Sequence, residues 1–302
     1  MRSLCPRGTG ALLGAALLAA AGSPVVSAQD AGCEEDQKVE DYAFALCPGR
    51  EEASAQRLVI SRKGEALFQV EDRKIEVAPP LLDAGGSRSA LPPGRDITGN
   101  GQADAVIYSD SGGAHCCIQL LVLALAPEFK VLNRLDAGNY LPIFRQADKD
   151  EALEIRIRDG IFAYWKAPFA RSPAPPVILD FQEGRYRPAP ELMRAPPLAI
   201  GELRRKARAV RDSPRWDEDG RYPLDSRLWA VMLDLIYSGN LGQADDFLDQ
   251  AWPRERPGKE DFRRAFFECQ LRLSFYWPAV AALNGLEPLS PAKHCFAKAE
   301  SG

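Results

Sequence analysis

The residues from Asp96 to Cys117 read D-I-T-G-N-G-Q-A-D-A-V-I-Y-S-D-S-G-G-A-H-C-C, and they decide which fold the chain can form. A loop rich in oxygen atoms and glycine runs directly into the apolar stretch Asp104–Ser109, which predicts a central β-strand. Two glycines, Gly112 and Gly113, then precede a cluster of one histidine and two cysteines. The stretch therefore predicts a β-rich protein with two chemically distinctive groups, one of oxygen donors and one of sulfur and nitrogen donors.

The loop has the spacing of a calcium-binding loop. Oxygen-bearing side chains stand at loop positions 1, 3, 5 and 9, which are Asp96, Thr98, Asn100 and Asp104. The backbone carbonyl of Gln102 is available at position 7, and these five residues are the candidate ligands. Calcium takes about six to eight oxygen ligands, which alternate residues of a tight loop supply by pointing inward. Gly99 and Gly101 give the backbone the freedom to curl. An EF-hand would close with a glutamate at position 12, where this chain has Ile107, so the loop is not an EF-hand.

This variant resembles the calcium loop of the FG-GAP (integrin α-type, VCBS-like) β-propeller repeats, in which D-x-[DN]-G-[DN]-G-x-x-D precedes a β-strand. The resemblance extends over about Asp96 to Tyr108, and it implies calcium bound by the five candidate ligands in a β-rich scaffold. Thr98 departs from the family, which usually has Asp or Asn there, so two carboxylates remain. With so little charge we expect weak affinity, roughly 0.1 to 1 mM, as in extracellular modules. The alternative interpretation is a polar, glycine-rich turn that holds no ion.

A second copy of the loop is suggested by the residues from Gln146 to Glu154, 50 residues after the first. Asp148, Asp150 and Glu154 occupy positions 3, 5 and 9 and again lead into a strand. Gln146 replaces the first carboxylate, however, and non-glycine residues stand where the backbone would need a positive φ. A solvated acidic turn is the preferred interpretation, although the spacing also hints at two duplicated sheet units of roughly four strands, each like a propeller blade.

Strand patterns recur up to about Leu192 without a helical repeat between them, which predicts antiparallel sheets. The predicted strands are Arg57–Arg62, Ala66–Val70, Lys74–Val77, Asp104–Ser109, Cys116–Leu125, Phe129–Leu135, Leu153–Arg158, Ile161–Lys166 and Val177–Phe181. The aromatic residues from Phe162 to Trp165 have two interpretations, the floor of a carbohydrate or peptide groove, or strand core packed against a loop.

After Ala-Pro-Pro at 195–197 the apolar period changes to that of a helix. Apolar residues line one helical face from Leu228 to Ile236, from Leu241 to Ala251 and from Phe262 to Leu273, and Gly239 stands where a left-handed residue ends a helix. The chain is therefore predicted to be α+β: a signal peptide at 1–28, an antiparallel β domain (propeller-blade-like or a sandwich) at 29–194, and a small helical bundle at 195–302.

The first residues have the pattern of a cleaved signal peptide. Arg2 and Arg7 precede an apolar run from Ala11 to Gly22, and Val26-Ser27-Ala28 supplies small residues for cleavage. The run is shorter than the roughly 20 residues of a membrane-spanning helix. We therefore expect a periplasmic or secreted protein with no integral membrane span after signal cleavage.

Cys5 lies in the predicted signal peptide, so six of the seven cysteines stay in the mature chain. Export places these six in an oxidising compartment, which favours disulfides. These cysteines are Cys33, Cys47, Cys116, Cys117, Cys269 and Cys295. Sequence alone does not fix the connectivity. Proximity favours Cys33–Cys47 and Cys269–Cys295, and leaves the adjacent pair to each other.

The cluster His115-Cys116-Cys117 keeps three interpretations open. Adjacent residues on a strand point to opposite faces, so a vicinal disulfide needs a distorted backbone. Each cysteine could instead pair elsewhere, for example with Cys47. The third interpretation is a soft-metal site that includes His115, although His294, the second histidine, is far away in sequence.

The composition argues against two broad classes of function. A formal net charge of −4 and a pI near 5.5 do not supply the basic surface of a nucleic-acid-binding protein. Two histidines and no G-x-S-x-G leave no pattern for a hydrolase triad, and no catalytic residue is assigned.

The leading prediction is a non-enzymatic binding or structural protein of the cell envelope. In it, calcium stiffens residues 96–104 and thereby positions the neighbouring surface at 109–117 for an envelope protein or a glycan. The alternative is a thiol-redox or soft-metal-handling protein that uses His115, Cys116 and Cys117.

Overall fold

The computed structural model describes residues 32–50, 54–78, 80–82, 87–114, 117–146, 150–216 and 224–296. The predicted signal peptide lies outside these residues and stays a prediction. The fold is α+β, with antiparallel sheets in the N-terminal half and helices in the C-terminal half, as predicted. Among the described residues, no helix has the length and apolar character needed to span a membrane.

The chain separates into two compact units. The first contains the residues up to Leu153 together with 183–185, and the second contains 154–182 and the residues from Tyr186 onward. The boundary predicted at 194/195 lies where strands give way to helices. In the structure, the strand residues at 154–182 and 186–188 belong to the same compact unit as the helices.

The described residues of the first unit form eleven short strands. They are β1 (Glu34–Val39), β2 (Tyr42–Pro48), β3 (Gln56–Arg62), β4 (Glu65–Asp72), β5 (Lys74–Glu76), β6 (Pro80–Leu82), β7 (Arg88–Ala90), β8 (Asp104–Asp110), β9 (Ile118–Ala124), β10 (Lys130–Gly138) and β11 (Ile143–Arg145). One sheet is the antiparallel series β1-β2-β3-β4, and a second antiparallel sheet has the order β10-β9-β8-β5. β6 pairs antiparallel with β7, and parallel with β11 through one pair of residues.

The two four-stranded sheets share one apolar core. Side chains of a strand alternate between its faces, so every second residue of the inner strands enters this core. Its buried members are Tyr42, Phe44, Leu58, Ile60, Ile75, Val77, Ala105, Ile107, Leu121, Leu123 and Leu125. β8 and β9 are buried along most of their length, which explains why their sequences are nearly continuous apolar runs.

β1 is a strand that the sequence analysis missed. Its residues E-E-D-Q-K-V are mostly exposed, so they carry no apolar alternation. Pairing with β2 and the disulfide Cys33–Cys47 hold it in place. Proximity in sequence correctly predicted that disulfide.

The second unit combines three strands with six α-helices among the described residues. The strands are β12 (Glu154–Arg158), β13 (Pro176–Gln182) and β14 (Arg185–Pro188), and the helices are α1 (Pro190–Met193), α2 (Ile200–Arg211), α3 (Arg227–Ile236), α4 (Leu241–Ala251), α5 (Lys259–Arg264) and α6 (Trp277–Leu283). α5 continues as a π-helix at Ala265–Gln270 and a 3-10 turn at Leu271–Leu273; further 3-10 turns are Phe169–Arg171, Pro214–Trp216 and Lys293–Phe296.

The ends of α3 have clear causes in the sequence. The carboxylate of Asp225 accepts a hydrogen bond from the backbone N–H of Arg227, 3.0 Å away, and satisfies one of the free donors at the start of the helix. Gly239 has a φ of +83° and follows the end of the helix, which agrees with its predicted role.

The predicted strand Ile161–Lys166 is wrong, because these residues form turns. Tyr164 and Lys166 have φ values of +61° and +52°, which a strand does not contain. Phe162 is fully buried and its ring contacts that of Trp165 edge-on, with the ring centroids 5.3 Å apart. Trp165 also packs against the rings of Trp229, Phe262 and Phe266. Phe162 and Trp165 therefore pack with the core of the helical unit, whereas the side chain of Tyr164 is 48% exposed.

A buried carboxylate joins the end of β12 to the helices of the same unit. Asp159 is 5% exposed and accepts hydrogen bonds from the hydroxyls of Tyr237, at 2.5 Å, and Ser274, and from the backbone N–H of Ile161, at 3.0 Å. Burial raises the pKa of Asp159 above its usual range, although these three donors oppose the shift. Every oxygen of this carboxylate thus has a donor, as a buried polar group requires.

Candidate metal centre

The predicted calcium loop connects β7 to β8 and ends where β8 begins. Asp104 is the first residue of β8, and its backbone carbonyl accepts a hydrogen bond from the N–H of Gly94 at 2.7 Å. Asp96 stands near the start of the loop and is partly buried. The turn therefore begins and ends within the same unit, close to the edge of its core.

The carboxylate of Asp96 determines the curl of the loop. Its Oδ1 accepts hydrogen bonds from the backbone N–H groups of Thr98, at 3.1 Å, and Gly99, at 2.8 Å. Its Oδ2 accepts one from the N–H of Gly101 at 2.7 Å. Gly99 and Gly101 have φ values of +70° and +76°, so both glycines adopt the left-handed backbone for which the sequence analysis selected them.

Asp104 is 1% exposed, and within the described part of the chain only one of its two carboxylate oxygens has hydrogen-bond donors. Oδ2 accepts from the backbone N–H groups of Ile97, at 3.0 Å, and Thr98, at 3.1 Å, and from the Thr98 hydroxyl at 2.9 Å. Oδ1 is buried without a partner among the described residues. Burial raises the pKa of Asp104, and the negative charge of Asp96 adds to that shift, while the donors oppose it.

Three of the five predicted ligands come together around Thr98. Its backbone N–H lies 3.1 Å from Asp96 Oδ1 and 3.1 Å from Asp104 Oδ2, so the two carboxylates converge on one residue. Asn100 and Gln102 are exposed, and the side-chain oxygen of Asn100 accepts from the N–H of Gln102 at 2.8 Å. The structure thus groups Asp96, Thr98 and Asp104, and leaves the other two at the rim of the loop.

The loop packs against the turn that contains the predicted second copy. A Cβ atom at Gly99 would lie 2.5 Å from the backbone nitrogen of Ala152, and the N–H of Leu153 donates to the carbonyl of Ile97 at 2.9 Å. No pattern in the sequence pointed to this contact, because it joins backbone atoms about 50 residues apart. Both segments carry a similar spacing of polar residues, but such a similarity does not predict that the two segments touch.

The second loop is organised by hydrogen bonds in the part that the structure describes. The side-chain N–H group of Gln146 donates hydrogen bonds to the backbone carbonyls of Asp150 and Ala152, the latter at 3.0 Å. In these bonds the Gln146 amide is a donor, whereas a metal ligand must offer a lone pair. The carboxylate of Asp150 accepts from the N–H of Ala152 at 3.0 Å, and Glu154 is fully buried in β12. Asp148 lies outside the described residues. The solvated acidic turn therefore stays the preferred prediction for this segment.

The described part of the predicted surface at 109–117, residues 109–114 and Cys117, begins near the other end of β8 from the loop. β8 runs from Asp104 at the loop to Asp110, and six steps along a strand amount to roughly 20 Å. The turn after Asp110 is closed by the N–H of Ser111 and the carbonyl of Cys117, 3.4 Å apart, at the far end of the β8–β9 pair. The predicted effect of an ion at Asp104 on this surface would have to pass along β8, and it stays a prediction.

The His-Cys-Cys cluster is described only in part. Cys117 is disulfide-bonded and has a φ of +89°. His115 and Cys116 lie outside the described residues, so the vicinal disulfide and the soft-metal site predicted there stay predictions.

The donor set of the loop is chemically suited to a hard cation. All of its candidate ligand atoms are oxygens, from two carboxylates, a hydroxyl, an amide and backbone carbonyls. Calcium prefers such oxygen ligands to sulfur or nitrogen. The buried Oδ1 of Asp104 fits such an ion, since a buried carboxylate oxygen without a donor is unfavourable. The sequence matches no protein-family model and no curated protein.

Proposed function

We propose that this chain is an exported, calcium-stabilised binding or structural protein of the cell envelope, without enzymatic activity, whose loop is of the FG-GAP type. The observation that carries the proposal is the buried Oδ1 of Asp104, which lacks a donor among the described residues. A bound cation would satisfy this oxygen and would also neutralise the repulsion between Asp96 and Asp104.

The proposed ligands are Asp96, Thr98, Asn100, Asp104 and the carbonyl of Gln102. Calcium would supply charge neutralisation and a rigid centre rather than chemistry. The carboxylates would hold the ion, while the backbone N–H groups that they already bind would keep them oriented. Because only two carboxylates are present, we propose weak binding, in the range of roughly 0.1 to 1 mM.

Binding at this position would stabilise the joint between two turns. Gly99 touches the backbone of residues 151 and 152, and the carbonyl of Ile97 accepts from the N–H of Leu153. A loop held by an ion would therefore fix the turn that leads into β12. We propose that this rigid edge serves recognition of an envelope protein or a glycan.

Export is supported by two independent features. The structure contains the disulfides Cys33–Cys47 and Cys269–Cys295, and disulfides form and persist mainly in oxidising compartments. The predicted signal peptide points to the same compartment, so we propose a periplasmic or secreted location. The alternative, a thiol-redox protein using His115, Cys116 and Cys117, predicts a reactive thiol in the oxidised protein, whereas the structural interpretation predicts none.

The first prediction concerns the melting temperature with calcium. A ligand that binds only the folded state stabilises it by mass action; at 10 to 100 times the dissociation constant, this amounts to about 1.4 to 2.7 kcal/mol. We expect about 10 mM calcium, against a chelator, to raise the melting temperature of the first unit by about 3 to 10 °C. Asp104→Asn should abolish this shift, because the amide removes the charge and places a donor at the position of Oδ1.

The matched control for that experiment is Asp136→Asn. Asp136 is an exposed aspartate of the same unit whose carboxylate accepts from the N–H of Gly138 at 2.8 Å, so its substitution removes a carboxylate charge without touching a buried oxygen. This variant should keep the full calcium response. An equal melting temperature in calcium and in chelator for the wild-type protein would refute the proposed function, as would an undiminished shift in Asp104→Asn.

A second prediction uses the position that departs from the FG-GAP pattern. Thr98→Asp adds a third carboxylate beside Asp96 and Asp104, and calcium affinity rises with the number of charged ligands. We expect the calcium-free protein to lose about 1 to 3 kcal/mol of stability, because the Thr98 hydroxyl no longer donates to Asp104 and like charges repel. Calcium should then raise the melting temperature more than in the wild-type protein, as measured by circular dichroism. A smaller calcium shift than in the wild type would contradict this prediction.

A further inference from the structure

A second group of metal-ligating side chains lies in the helical unit, around the disulfide Cys269–Cys295. Cys269 Sγ is 3.6 Å from His294 Nε2, and one ligand atom from each of Cys269, His294 and Cys295 lies within 4.8 Å of the others. Glu268 Oε2 is 3.7 Å from the same imidazole nitrogen. His294 is far in sequence from the cluster at His115, and its neighbours in the structure are instead Glu268 and Cys269.

Two irregular elements bring these side chains together. Glu268 and Cys269 belong to the π-helix at Ala265–Gln270, and such wide turns occur mostly as single insertions, frequently at functional sites. His294 and Cys295 belong to the 3-10 turn at Lys293–Phe296, which the N–H of Ala292 attaches to the carbonyl of Glu268 at 3.1 Å. The cluster is open to solvent, since the His294 side chain is 54% exposed.

We propose that this cluster becomes a zinc site when the Cys269–Cys295 disulfide is reduced. A dithiol reductant would supply two electrons and two protons and would itself become a disulfide, which leaves two thiols on Cys269 and Cys295. Zinc would then bind both sulfurs as thiolates and release their two protons. His294 would be the third ligand, and the Glu268 carboxylate or a water would complete the tetrahedron.

The distances already present fit such a site. With Zn–S of about 2.3 Å and Zn–N of about 2.0 to 2.1 Å, a tetrahedral ion holds its sulfur and nitrogen ligands about 3.6 Å apart. The Cys269 sulfur and the His294 nitrogen are 3.6 Å apart before any ion is bound. The two sulfurs must separate, which reduction allows because the bond between them is gone.

The oxidation state controls the site because it controls the ligand charge. Thiolates are strong zinc ligands, whereas the sulfurs of a disulfide carry no negative charge. The oxidised protein should therefore bind zinc weakly, and the reduced protein tightly. This inference is independent of calcium, since it uses residues of the other compact unit.

The test is metal binding by the reduced, oxygen-free protein after removal of the reductant, with cobalt as a spectroscopic substitute for zinc. We expect one equivalent of cobalt to produce thiolate charge-transfer absorption that zinc abolishes. His294→Gln should weaken zinc binding at least about tenfold and reduce this absorption, because it removes one ligand and leaves every cysteine in place. The same substitution at the other histidine, His115→Gln, is the matched control and should change neither quantity.

Folding is measured in parallel, because reduction also opens the disulfide Cys33–Cys47 and the disulfide that contains Cys117. If the reduced protein is folded, zinc should raise its melting temperature, and if it is partly unfolded, zinc should restore the helical signal in circular dichroism. Zinc binding by His294→Gln as tight as that of the wild type would overturn the inference. Loss of binding in His115→Gln alone, or no binding by the reduced wild type, would overturn it too.

Discussion

Gly99→Ala is expected to destabilise the β unit by about 3 kcal/mol, whereas Gly101→Ala should cost only about 1 kcal/mol. Both glycines have a positive φ, so each alanine pays roughly the same penalty of about 1 to 2 kcal/mol for a left-handed backbone. They differ in what the new methyl group meets. At Gly99 it would lie 2.5 Å from the nitrogen of Ala152 and 2.8 Å from the carbonyl carbon of Glu151, while at Gly101 no atom of a described residue lies within 4 Å.

The extra cost at Gly99 arises because the obstacle is backbone. A flexible side chain could move away, but residues 151 and 152 are fixed by the bond between Leu153 and Ile97. Overpacking of this kind costs about 1 to 3 kcal/mol. Urea unfolding of both variants in the presence of a chelator measures the difference without any contribution from calcium. Equal free energies of unfolding for the two variants would show that the loop does not press against this turn in solution.

Asp159→Ala is expected to reduce the free energy of unfolding of the helical unit by about 3 to 5 kcal/mol. The substitution leaves three donors without an acceptor: the hydroxyls of Tyr237 and Ser274 and the N–H of Ile161. An unsatisfied buried donor costs about 1 to 3 kcal/mol. Tyr237→Phe, which removes one donor and keeps the carboxylate, should cost less, about 1 to 3 kcal/mol.

An exposed aspartate of the same unit provides the control for these variants. The side chain of Asp212 is 63% exposed and pairs with Arg211 on the surface, so Asp212→Ala should change stability by no more than about 0.5 kcal/mol. Denaturant unfolding followed by tryptophan fluorescence suits this comparison, because Trp165 and Trp229 lie in the same unit. If Asp159→Ala were as mild as Asp212→Ala, the buried network would contribute little to folding.

The buried carboxylate also predicts the direction of a pH dependence. Burial raises the pKa of Asp159 above 3.8 in the folded state, so the folded protein holds this proton more tightly than the unfolded chain. The contribution to stability is full below pH 3.8 and is lost as the pH rises through the raised pKa. Asp159→Asn does not titrate, so the stability advantage of the wild type over this variant should shrink as the pH rises. An advantage that grows with pH would mean that the folded pKa is lowered.

Sequence patterns predicted the regular parts of the fold because those parts depend on local periodicity. The buried strands β8 and β9 are continuous apolar runs, and α3 and α4 carry apolar stripes that end at Gly239 and Pro253. The disulfides Cys33–Cys47 and Cys269–Cys295 were predicted from proximity along the chain, which is informative when the loop to be closed is short.

Local patterns failed where contacts with other parts of the chain decide the conformation. β1 is polar and exposed, and it is a strand because β2 and a disulfide hold it. Residues 161–166 are aromatic and β-branched, yet they form turns, because packing of Phe162 and Trp165 among the rings of the helices outweighs strand propensity.

The sequence by itself determined the oxygen-rich loop, its two left-handed glycines and the strand that follows, because these depend on residue types at fixed short spacings. Only the tertiary structure decided that one oxygen of Asp104 is buried with no donor from the residues it describes, that Gly99 touches a turn about 50 residues away, and that His294 lies beside Cys269. Burial and proximity are properties of the packed chain, since they depend on which distant segments fold against each other. A one-dimensional pattern can name the atoms that could bind an ion, but packing alone removes their water and brings them together.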